Sequence, residues 1–242
     1  MARSVLYEET VMSENVDELS FGLMTLRSAR TAPLQELIDR AIQDLLVSFP
    51  DPEGLSHDER RGIIARYTAV LEGNFIYWMT AANLSVASDE AHSIIHDNLL
   101  EEVRDNHPGM LRKFAIAARA VPTDSDVLAV HAPLQNVRQF VAQLSGAKIV
   151  LMMAFFEGWI TRFMSYLATL AQRQGSAEHE YTDVHGVVDV VHTRELLRAL
   201  DAELMLLPAP QPPVTHLLEG VHVLRTLIQS IIHPAAGRPV SA

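Results

Sequence analysis

The chain contains no cysteine. That absence excludes disulfides, a thiolate nucleophile, Cys-ligated zinc and iron–sulfur clusters, so any metal must be held by nitrogen and oxygen donors. A long hydrophobic run is missing as well: the longest, IVLMMAFF at 149–156, is too short to span a bilayer and ends at Glu157. The N-terminal MARSVLYEETVM lacks the apolar stretch of a signal peptide. No basic stripe with interleaved aromatics occurs, and the net charge of −11 opposes a polyanionic partner. There is no internal repeat, no alternating strand pattern and no GxxxxGK loop, so DEAH at 89–92 is a chance match to a helicase box. These absences predict a cytoplasmic protein with neither nucleic acid nor membrane as a partner; a homodimer is left open.

What the chain does have is helical periodicity. It runs over about 14–29, 34–48, 57–86, 89–105, 108–120, 131–144, 146–173, 181–205 and 213–233. The breaks between these segments, such as FPDPEGLSHDE, AVPTDSD, QGSAEHE and PAPQPP, read as turns and not as interdomain linkers. With 242 residues, 48% of them hydrophobic, one sizeable core can form. The predicted fold is all-α: a single helical-bundle domain over 1–242 with about seven to nine helices and flexible ends at 1–12 and 234–242.

Three constellations carry chemistry. In YTDVHGVVDVVHTRELLRAL, residues His185, Asp189 and His192 stand at i, i+4 and i+7, which puts two imidazoles and a carboxylate in one helical stripe. Val184, Val187, Val188 and Val191 flank them and predict that the stripe faces the protein interior. Glu157 sits in KIVLMMAFFEGWITRFMSYLATL, apolar nearly all round, where a carboxylate needs a cation or donors. A metal meets that need; pairing with Arg162 is the alternative. In NLLEEVRDNHPGML, the apolar positions Ile95, Leu99 and Val103 turn Glu102 to the edge of the inward face and Glu101 nearly opposite, toward solvent. His107 precedes Pro108 at a helix boundary and is expected to look back at the carboxylate of the preceding helix. Glu219-x-x-His222 occurs once and reads as a surface pair, and Asp89, His92 and His96 read as a solvated face.

In these residues, Asn98-Leu-x-Glu-Glu102 with His107, Glu157 on an apolar helix, and Tyr181-x3-His185-x3-Asp189-x2-His192, the chain resembles the haem-oxygenase-like diiron oxidases and oxygenases over about 60–235. The resemblance implies the haem-oxygenase-like helical fold, without haem, and six ligands to two irons: Glu102, His107, Glu157, His185, Asp189 and His192. The chain departs from the pattern in the short connection from Glu102 to His107 and in Val103-Arg104 where a glycine often follows the glutamate. Members that oxygenate nitrogen use a further glutamate from the helix before, for which Glu72 is the candidate here.

Three histidines and three carboxylates suit two Fe(II), with manganese as the alternative, better than zinc. The implied activity is O2-dependent oxidation of a small organic substrate, amino-acid-derived or an amine, by N-oxygenation, desaturation or oxidative C–C cleavage in a biosynthetic pathway. Few arginines near the inferred site weigh against a phosphorylated substrate. A non-redox helical binding or scaffold protein, or a cofactorless relative of the same fold, is the alternative.

Overall fold

The computed structural model describes residues 31–208 and 212–234. The helix expected at 14–29 and the flexible ends expected at 1–12 and beyond 234 lie outside them. All regular structure among the described residues is helical: α1 over 31–47, α2 His57–Leu71, α3 Asn74–Ser85, α4 Asp89–Arg104, α5 His107–Ala117, α6 Asp124–Val141, α7 Gly146–Arg173, α8 Glu180–Leu206, α9 Val214–Leu217 and α10 Glu219–Ile232. None of these helices is long and apolar enough to cross a membrane.

α7 is the axis of the bundle. Every residue from Ile149 to Ile160 is buried, because this stretch is apolar on all sides and neighbouring helices cover each of them. α8 runs antiparallel along it: Gly146 lies against Glu203, Gly158 against Thr193 and Met164 against Gly186. Trp159 stacks on Phe163 with ring centroids 4.6 Å apart and on Phe156 at 5.5 Å, and Tyr67 and Trp78 pack on the same cluster from α2 and α3. This aromatic block holds the middle of α7 rigid.

Three segments differ from the sequence expectation, the one expected over 213–233 being split at Leu218 into α9 and α10. The helix expected over 57–86 is two, because Gly73 takes φ +78° and ends the register after Leu71. Asn74 then secures the break, donating from Nδ2 to the Val70 carbonyl at 2.8 Å and accepting from Arg138 Nε at 3.0 Å. α6 begins at Asp124, ahead of the expected 131. Asp126 accepts from the Thr123 N–H at 2.9 Å as a cap, and Arg61 grips its two oxygens at 3.0 and 3.1 Å. That anchor carries the helix through Pro133, which looks like a start in the sequence.

Candidate metal centre

α8 assembles the site. His185, Asp189 and His192 face inward and are 5%, 0% and 1% exposed, as their spacing predicts. The valines do not share that burial. Val187 is 71% exposed, Val190 and Val191 are also exposed, and Val184 and Val188 are half-buried. The stripe is buried because α4, α5 and α7 pack over it, while the valines form its outer flank; apolar character alone does not report burial.

Two groups of three converge on the stripe. Glu102 near the end of α4, His107 at the start of α5 and His185 form one; Glu157 from mid-α7, Asp189 and His192 form the other. All six are buried, and within each group one donor atom per residue lies within 4.8 Å of the others. A single cation with bonds of about 2.0–2.2 Å joins donors up to about 4.4 Å apart, so small side-chain adjustments bring each group to bonding distance. The short connection from Glu102 to His107 works because Asn106 adopts φ +55°, reversing the chain within two residues of Arg104 so that His107 turns back on Glu102.

The donor atoms fit a cation better than they fit one another. His107 Nδ1 lies 2.9 Å from Glu102 Oε1, and neither atom has any other partner. Glu157 Oε1, both Asp189 carboxylate oxygens and His192 Nδ1 are likewise buried without a partner, with His192 Nδ1 3.9 Å from Glu157 and 4.0 Å from Asp189. Six such atoms in two clusters are far outside what a packed core tolerates without compensation. Burial, then the charges of Asp189 and Glu102, push the Glu157 carboxyl well above its ordinary range. Burial and the charge of Glu102 do the same to Asp189. Without a cation, each of these two carboxylates opposes the ionisation of the other.

The imidazoles are set differently. Burial pushes His185 down to about 4, so it is neutral, and its Nδ1–H donates to the Tyr181 carbonyl at 2.9 Å. That bond fixes Nε2 as the free lone pair. For His107, burial opposes protonation, but the carboxylates of Glu102, Asp105 and Glu101 outweigh it and hold the group above its ordinary value. Tyr181 also packs on His185, ring centroids 4.2 Å apart, and its hydroxyl meets that of Tyr67 at 2.7 Å. Burial raises both phenols, so both stay protonated. A cavity of about 30 Å³ reaches Glu102, His107, Glu157 and His185, bounded on its apolar side by Phe75 and Ile160.

Glu101 is a correction. The helical wheel turns it to solvent, but its Oε2 lies 3.4 Å from His192 Nε2, on the side of the ring away from Glu157 and Asp189. It is therefore a carboxylate behind a candidate ligand. Glu72 is not at the site; Arg112 holds it on the surface. Arg162 pairs with Asp39 and leaves Glu157 alone. Glu219 pairs with Lys148 at 2.7 Å, and His92 and His96 are exposed, as expected. The cavity that reaches Glu102, His107, Glu157 and His185 has no arginine in its lining, as expected, whereas Arg162, Arg194 and Arg198 line a separate cavity. Arg194 and Arg198 lie at helical spacing just after His192, a signal open to sequence reading.

Comparison of the chain with models of known protein families and with curated proteins finds no match.

Proposed function

We propose that the two groups each hold a divalent metal ion, iron before manganese, and that the protein is a non-haem diiron oxidase or oxygenase of the haem-oxygenase-like kind, acting on a small organic substrate. The observation that supports this most is the set of six buried, convergent donor atoms, most of them without any other partner. Three nitrogens and three carboxylates with no sulfur suit ferrous iron better than zinc. A ferrous pair supplies electrons for the reduction of dioxygen.

The chain's own part is to orient and to exclude. The Tyr181 carbonyl fixes the tautomer of His185, and Glu101 faces the outer nitrogen of His192. The protonated Tyr67–Tyr181 pair closes the site on the α2 side. The 30 Å³ cavity has room for a molecule the size of water or dioxygen beside Glu102, His107, Glu157 and His185.

Anaerobic reconstitution with ferrous iron, followed by metal analysis and optical spectroscopy on exposure to oxygen, tests the reading. Two irons per chain and a new absorption band that appears with oxygen are expected. Failure to retain iron, or retention that survives His185→Ala together with Asp189→Ala, would overturn it.

A further inference from the structure

A cavity of about 590 Å³ lies between α1, α7 and α8. It sits roughly a third of a turn round α7 and α8 from the metal-facing stripe. The two long helices present the same pattern to it. One, four and five residues after Glu157 come Gly158, Thr161 and Arg162; at the same offsets after Asp189 come Val190, Thr193 and Arg194. Each threonine hydroxyl donates back to the carbonyl of the carboxylate residue a turn earlier, Thr161 to Glu157 at 3.1 Å and Thr193 to Asp189 at 2.7 Å.

The charges define the ligand. Arg162 is matched by Asp39 from α1, and Arg198 reaches Glu90 at 3.4 Å. With Arg162 and Arg198 answered by Asp39 and Glu90, Arg194 is the lining cation without such a partner among the described residues. Ile38, Ile42, Val190 and Leu197 supply apolar wall, and the volume is that of a small-molecule site. We infer that this cavity is a binding site for an organic monocarboxylate, its carboxylate on Arg194 and its apolar body against α1 and the Val190–Leu197 face of α8. The inference stands on the cavity alone and does not depend on the metal reading.

Calorimetric titration of the full, metal-stripped chain with octanoate at pH 7 tests it, with octanol as the neutral probe and octyl phosphate as the dianion. Saturable one-to-one binding of octanoate is expected, at least tenfold tighter than of either comparator. Arg194→Gln, at an exposed position, should weaken octanoate at least tenfold and leave octanol unchanged. Val190→Phe, at a wall position that is also exposed, should abolish both, and Arg225→Gln on α10 should change neither. Melting curves verify that each variant folds. The inference falls if octanoate does not saturate, if Arg194→Gln and Val190→Phe bind it as the parent does, or if octyl phosphate binds more tightly.

Discussion

The two donor groups are built from the same helix but differ in composition. The Glu102 group takes its members from α4, α5 and α8 and has two nitrogens and one carboxylate; the Glu157 group draws on α7 and α8 alone and has one nitrogen and two carboxylates. The first can reach near-neutrality without metal, because a protonated His107 answers Glu102. The second cannot: Glu157 and Asp189 are acidic neighbours in an apolar interior, and a proton is their only substitute for a cation. The same fold therefore carries one group that is electrostatically at ease when empty and one that is strained.

The largest expected effect breaks the Glu157 group. Asp189→Asn should lower bound iron from two per chain to one, while the metal-free protein should melt higher, because a buried carboxylate with no partner has been replaced by a neutral amide. Each kcal/mol relieved should appear as roughly 2–4 °C in Tm. His185→Ala should also lose one iron but give no comparable rise in Tm. Equal melting shifts in the two variants would erase the contrast between the groups.

The next effect is pH. Glu157 and Asp189 are raised in the folded state, so their contribution to metal-free stability is complete below the ordinary carboxylate range near ~4 and is lost as pH rises through their raised values. His107 is raised too, so its contribution is present below ~6.5 and lost above its folded value. His185, pushed down to about 4, has the opposite sign: its contribution is present above ~6.5 and lost as pH falls through about 4. Above pH ~6.5 His185 adds no slope, and the losses from Glu157, Asp189 and His107 stand alone. Thermal melts should show Tm of the metal-free protein falling from pH 6.5 to 8.5, and saturating ferrous iron, under argon, flattening or reversing the trend. A metal-free Tm that climbs over this range would contradict the assignment.

A smaller effect separates adjacent glutamates. Glu102→Ala removes a donor and should eliminate one iron. Glu101→Ala removes only the carboxylate behind His192 and should weaken iron at the Glu157 group by roughly 10–100-fold without abolishing it. Competitive chelator titration reads both. The smallest effect is Tyr67→Phe, which leaves the Tyr181 hydroxyl buried without its partner and should lower stability by ~1–3 kcal/mol in a denaturant melt with iron content unchanged.

Much of this was legible in the sequence, for reasons that can be stated locally. The inward stripe of α8 and the burial of Glu157 depend on periodicity and on an apolar run, which need no knowledge of the partners. The position of Glu101 was not legible, because a helical wheel locates Cβ, and three side-chain torsions then swing a glutamate carboxylate to whatever lies beside the helix. The break at Gly73 and the early start of α6 depend on contacts far away in sequence, from Arg138 to Asn74 and from Arg61 to Asp126. The convergence of the six donors into two groups depends on the packing of α4, α5 and α7 on α8, which no local pattern encodes.

α8 is common property of the two groups. His185 serves one, Asp189 and His192 the other, and a single helical turn separates His185 from Asp189. A cation captured at either group therefore bears on the backbone that carries donors for its neighbour. The iron titration should consequently depart from that of two independent sites, and a variant that loses one group should hold its remaining iron with altered affinity.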